Sequence, residues 1–103
     1  MSSEAKRTRR ASRLALGRIV ATPGAVREMD RLLVHPAELL KRHSSGDWGE
    51  LDDQDRRQNE LALIHGLRLL SSYVMRRDGV ETTLWVITEA DRSVTTILLP
   101  QEY

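Results

Sequence analysis

In the last third of the chain apolar residues fall on both parities between two turn signals, which predicts strands that are apolar on both faces. Between Leu67 and Pro100 the pattern divides into three antiparallel strands at two turns. Asp78-Gly79 supplies the first turn, since a type I′ turn needs positive φ at both central residues and Asp-Gly accepts this at little cost. Pairing Arg77 with Val80 sets Arg76 opposite Glu81, Met75 opposite Thr82, Tyr73 opposite Leu84, Ser72 opposite Trp85, Leu70 opposite Ile87 and Arg68 opposite Glu89. This register aligns two opposite-charge pairs; a slip of one residue would lose both and invert every side chain. Ala90-Asp91-Arg92-Ser93 is expected to be a four-residue loop, because Arg92 is a poor occupant of the left-handed conformation that a two-residue loop needs. Trp85 then faces Leu98. One side of the sheet carries Tyr73, Leu84, Val86, Ile97 and Leu99, and the other carries Leu70, Val74, Trp85, Ile87, Val94 and Leu98. Both sides are apolar, so either helices cover both or one side is kept for another chain.

Upstream, Leu14 to Ala21 is a short apolar run broken by Gly17 that suits a fourth strand. Thr22-Pro23 reads as a helix start running to about Leu33, with Val26, Met29, Leu32 and Leu33 as the buried stripe and Arg27, Glu28 and Arg31 in water. His35-Pro36 breaks it and begins a second helix to about His43, with Leu39 and Leu40 inward. A helix-turn-helix is one reading of this pair, but Glu38, Lys41, Arg42 and His43 are a thin set for reading bases. Asp52 or Asp53 caps a third helix to about His65, stopped by Gly66, with Leu61, Ile64 and nearby Leu67 as its dry positions. Between the second and third helices, Gly46-Asp47-Trp48-Gly49 sets an indole between two glycines. In a chain without Phe, this is either a loop anchor buried against the core or an exposed binding aromatic. The pattern as a whole predicts an α+β domain: three short helices packed on one face of a three- to four-stranded antiparallel sheet that ends in a C-terminal β-meander.

Length and charge narrow the picture. The 103 residues make one domain, with little surplus for a deep catalytic cleft. There is no Cys, which removes disulfides and thiolate metal sites and suits the cytoplasm. No apolar run approaches a membrane span. The net charge of +1 is uneven: Lys6, Arg7, Arg9, Arg10 and Arg13 against Glu4 leave the first thirteen residues at +4 and the remainder at −3. Residues 1–13 are expected to form a disordered basic arm on a domain spanning 14–103, and those five cations could touch the phosphates of nucleic acid without reading sequence.

Enzymatic constellations are scarce. His35, His43 and His65 lack metal-ligand spacing, no GxG occurs among the six glycines, and no Ser sits in a nucleophile elbow. No metal or cofactor is expected. The acidic run at Asp47, Glu50, Asp52, Asp53 and Asp55 is explained mostly by a capped helix start. One enzymatic alternative rests on architecture alone. Helices on a small antiparallel sheet are also how compact endoribonucleases are built, and His65, Arg68, Tyr73 and Arg92 are the residues that could serve such chemistry here.

Through LGRIVATPGA, GDWGELDDQDR and WVITEADRSVTTILLPQEY, the chain from Leu16 to Tyr103 resembles a group of small proteins carried on plasmids and integrative elements. Members carry labels such as "plasmid-related protein" or "type I restriction endonuclease subunit M". The second label implies a methyltransferase with a Gly-rich cofactor loop and an Asn-Pro-Pro-aromatic motif. This chain has no GxG, and its sole Asn, Asn59, precedes Glu60, so it lacks that activity. What the resemblance implies is a mobile-element setting. With no site and a surplus of apolar sheet surface, the expected function is non-enzymatic binding of a host or element-encoded protein, or of a second copy. The expected partner surface is Trp85, Ile87 and Leu98, with Trp48 and Asp47 as further contacts.

Overall fold

The computed structural model describes residues 12–103. The first strand, β1 (Arg18–Ala21), ends at Thr22, whose hydroxyl accepts the Ala25 N–H and so caps α1 (Pro23–Leu32). Pro23 holds the first helical position, where an N–H has no partner to lose. His35 caps α2 (Pro36–Ser44) by accepting the Ala37 N–H at Nδ1. Asp52 caps α3 (Asp53–His65) by accepting the Asp55 N–H, and Gly66 closes it in the left-handed conformation. Three strands follow, β2 (Leu69–Arg77), β3 (Val80–Thr88) and β4 (Val94–Leu98), and then a 3-10 turn, Pro100–Glu102.

The sheet order is β1-β4-β3-β2. The β2–β3 pairs expected from Asp78-Gly79 are present from Arg77 with Val80 to Leu70 with Ile87, Arg68 and Glu89 meet as an ion pair just past the ladder, and Trp85 lies opposite Leu98. The fourth strand corrects the expectation of an all-antiparallel sheet. β1 lies parallel to β4, Arg18 beside Val94 through Ala21 beside Ile97, so the sheet is mixed. Three helices separate β1 from the meander, and a connection of that length imposes no hairpin and hence no antiparallel direction.

The second turn has the expected four residues, with the Glu89 N–H on the Val94 carbonyl, but not for the expected reason. Arg92 does adopt a left-handed φ of 64°. Its guanidinium offsets the strain by donating to four carbonyls: Leu67, Glu89 and Ala90 from Nη1 and Ala62 from Nη2. Arg92 thus ties the end of α3 to the β3–β4 loop.

All helical packing falls on one side of the sheet. Ala25, Met29 and Leu39 pack with Tyr73, Leu84, Val86 and Ile97 in the main core, while Leu14, Trp48 and Ala62 pack with Leu69 in a second. Tyr73, Leu84, Val86, Ile97 and Leu69 share one parity in the register, hence one face. Two helix stripes differ from expectation. In α1 the buried residues are Gly24, Ala25, Met29 and Leu32, while Val26 and Leu33 are exposed. In α3 they are Asn59 and Ala62, whereas Leu61, Ile64 and Leu67 face solvent, Ile64 at 74%. Leu33 leaves the stripe because the helix ends before it, in a left-handed cap with φ of 57°, while Ala25 and Ala62 occupy the core positions that side-chain hydrophobicity assigned to Val26, Leu61 and Ile64.

Candidate interaction face

Residues of the other parity form a second face: Leu70 and Val74 on β2, Trp85 and Ile87 on β3, Val94 and Leu98 on β4, and Val20 on β1. Neither helix-covered core includes a residue from it. Ile87 and Leu98 are buried, and Trp85, Leu70, Val74, Val94 and Val20 are part-exposed. The charge pairs expected from the register close the apolar strip at both ends, Arg68 with Glu89 at 3.3 Å and Arg76 with Glu81 at 2.9 Å. Beyond the 3-10 turn, Tyr103 sets its ring edge-on to Trp85, with centroids 5.8 Å apart, and accepts a hydrogen bond from Arg68 Nη1 at 2.6 Å. Glu102 anchors this turn by accepting from the Leu99 N–H and the Thr22 hydroxyl, contacts that hold its carboxyl below the usual range, the Thr22 bond foremost. The face thus has an apolar centre and an ion-paired rim.

The two sheet edges are treated differently. On β2, the outward groups of Leu70 are taken by Asn59, whose Oδ1 accepts the N–H and whose Nδ2 donates to the carbonyl at 2.7 Å. Ser72 donates its N–H to the Trp48 carbonyl and accepts from the Glu50 N–H, and the Val74 N–H reaches Glu50 Oε1. Gly49 makes this possible. It has φ of 75°, and a Cβ there would collide with the Ser72 carbonyl oxygen. On β1, Arg18 and Thr22 direct their N–H groups to β4, so those of Ile19 and Ala21 point outward, and among the described residues nothing bonds them.

A buried polar chain crosses the helix side. His43, fully enclosed, bonds Ser71 Oγ through Nδ1 at 2.6 Å and Thr88 Oγ1 through Nε2 at 2.9 Å; Thr88 bonds Thr95 at 2.7 Å, and Thr95 donates to the Leu16 carbonyl at 2.7 Å. Each hydroxyl has one proton, which orders the chain. Thr95 spends its proton on Leu16, so Thr88 must donate to Thr95 and His43 Nε2–H to Thr88. Burial pushes the imidazole pKa down to about 4, so near neutral pH the ring is uncharged and its bare Nδ1 accepts from Ser71. A serine beside a histidine suggests a nucleophile, but Ser71 is wholly enclosed and no substrate reaches it. The network links α2, β2, β3, β4 and the segment before β1.

Two expected partner contacts lie elsewhere. Trp48 is 4% exposed, in the second core on the helix side, with its indole N–H on Glu60 and its ring edge-on to His43. It is the loop anchor, not an exposed binding aromatic. Asp47 holds Arg42 at 2.7 Å and accepts the Tyr73 hydroxyl at its carbonyl, so it too lies on the helix side, away from Trp85. Of the basic residues, Lys6, Arg7, Arg9 and Arg10 lie outside the described residues. Arg13 belongs to the folded part: its N–H bonds the Ser44 carbonyl and its guanidinium makes a two-point pair with Glu60, whose carboxyl is held below the usual range by Arg13 first and Trp48 second. The ribonuclease candidates do not converge. Tyr73 is enclosed on the helix side with its phenol pushed up to about 12 by burial, Arg68 is on the opposite face, His65 is at the exposed end of α3, and Arg92 is committed to carbonyls.

In the open groove lined by Glu28, Glu81, Thr82, Leu99 and Gln101, about 450 Å³, both carboxylates are engaged, Glu28 by Arg31 and Thr82 and Glu81 by Arg76. Among the described residues no cluster of three or more His, Asp or Glu is arranged for a metal ion, and no helix is long and apolar enough to cross a membrane. Comparison with protein-family models, curated proteins and solved structures finds no match to this chain.

Proposed function

We propose that this chain is a non-enzymatic accessory protein of a mobile element, acting in the cytoplasm by binding a host or element-encoded protein through the sheet face around Trp85, Ile87 and Leu98. One observation carries the reading: the three helices all pack on the Tyr73 side, leaving an apolar face with an ion-paired rim that neither core includes. Removing a Trp and its aliphatic neighbours from water stabilises an association by about 1.5–3 kcal/mol per side chain, set against the cost of lost freedom. Ile87 and Leu98 are buried already, so most of the gain falls to Trp85, Leu70, Val74 and Tyr103.

The test is a site-specific photo-cross-linker placed at Thr83 or Thr96 on this face, and at Arg57 on the exposed side of α3, in cells carrying the native element. The proposal expects one discrete protein adduct from the face positions, competed by added wild-type chain but not by Trp85→Ser. Adducts at Arg57 alone, or adducts unaffected by Trp85→Ser, would overturn it. Deleting residues 1–11 and following RNA and DNA binding against salt addresses nucleic acid as the target. A loss of tight, salt-sensitive binding on deletion would transfer the function to the basic segment.

A further inference from the structure

The contrast between the two edges supports an inference independent of what the Trp85 face binds. A sheet edge with free N–H and C=O groups templates another strand, and proteins seal edges that must stay single. The β2 edge is sealed by Asn59, Gly49 and Glu50, whereas β1 has no such device among the described residues. We infer that β1 pairs antiparallel with β1 of a second copy, making a two-fold dimer with one continuous eight-stranded sheet.

The free groups are self-complementary. With Val20 opposite Val20 of the second copy, Ile19 lies opposite Ala21, and the outward N–H and carbonyl of each meet their counterparts in two reciprocal pairs. The side chains agree in size, since Ile19 meets the small Ala21 on the helix side. Charge agrees as well. Arg18 falls opposite Thr22 of the second copy, and the Thr22 hydroxyl holds the Glu102 carboxylate. Arg18 is exposed and makes no ion pair among the described residues, so each Arg18 gains the other copy's Glu102. Neighbouring registers lack this match: moving Ile19 opposite Ile19 sets Ala21 against Gly17, which has left the strand with φ of 65°. Because the two-fold axis is normal to the sheet, the helices of both copies share one side and the two Trp85 faces join on the other.

Sedimentation equilibrium decides it. The wild type is expected to have twice the monomer mass at high micromolar concentration. Ile19→Pro removes an outward N–H, which an edge strand tolerates, together with the side chain that faces Ala21, and should weaken the dimer at least about thirtyfold, the factor that two lost hydrogen bonds per dimer give by themselves, with circular dichroism unchanged. Arg18→Glu should also weaken it, and Arg18→Glu combined with Glu102→Arg should restore it. Trp85→Ser should leave it intact. A wild type that stays monomeric, or a dimer indifferent to both Ile19→Pro and Arg18→Glu, overturns the inference. If Ile19→Pro fails to fold, the Arg18 and Glu102 pair of variants decides alone.

Discussion

Lowering the pH from 7 to 4.5 should destabilise this protein through one residue, His43. In the native chain its imidazole is enclosed and neutral with a pKa of about 4, and in the unfolded chain it returns to the ordinary 6.5. Between these values the unfolded state holds a proton that the native state does not, so stability is complete above pH 6.5 and falls as pH drops toward 4. The slope approaches about 1.4 kcal/mol per pH unit, and the loss by pH 4.5 comes to about 2.5 kcal/mol. That is a large share of the 5–15 kcal/mol typical of a domain. The carboxylates of Glu28, Glu60 and Glu102, held below their usual range, contribute only at the acid end of this window. Urea unfolding at pH 7, 6, 5 and 4.5, on wild type and His43→Leu, isolates the effect. The variant should be less stable at pH 7, since Ser71 and Thr88 each lose a partner, and between pH 7 and 4.5 its loss of stability should be smaller by about 2.5 kcal/mol. Nitrogen NMR should show the Nε2–H tautomer of His43. Equal slopes in the two proteins, or a native His43 that titrates near 6.5, would refute the neutral buried imidazole.

Two further predictions concern the sealed edge. Gly49→Ala forces a side chain into the left-handed region against the Ser72 carbonyl and should cost about 2–3 kcal/mol in urea unfolding; a change below 0.5 kcal/mol, within the ordinary spread of surface substitutions, would mean that the loop does not hold β2. Asn59→Leu, similar in size, strips both outward groups of Leu70 of their partner and should cost about 2–3 kcal/mol and promote aggregation, as read by light scattering; retained stability and solubility would show that the edge needs no cap.

The meander was legible because its information is local: Asp78-Gly79 fixes a turn, and Arg76 with Glu81 and Arg68 with Glu89 confirm the register at both ends. The direction of β1 was not, because its partner is β4, across three helices and two strands, and no local pattern encodes a parallel neighbour at that distance. Hydrophobicity alone misplaced the stripes of α1 and α3, since Ala25 and Ala62, not Val26, Leu61 and Ile64, sit in the cores. The left-handed Arg92 is not legible from backbone cost alone, because two of the carbonyls that its guanidinium finds, Leu67 and Ala62, come from distant parts of the chain. For the candidate site, alternation put Trp85, Ile87 and Leu98 on one face, but nothing in the order of residues says which side the Trp48 loop joins. The His43 chain did leave a signal. Ser71, Thr88 and Thr95 have the parity of the buried face, and polar groups at dry positions require a partner.

The most direct test of the Trp85 face is its access to water in the free protein. Trp48→Phe leaves Trp85 as the only tryptophan, and Trp85→Phe leaves Trp48. Fluorescence with acrylamide quenching, on samples whose mass is fixed by sedimentation, compares the two. An open face predicts that Trp85 emits as a part-hydrated indole and is quenched far more than the buried Trp48, whether or not copies associate through β1. A blue-shifted, unquenched Trp85 in a monomer would show that the chain covers this face by itself, and would contradict the account.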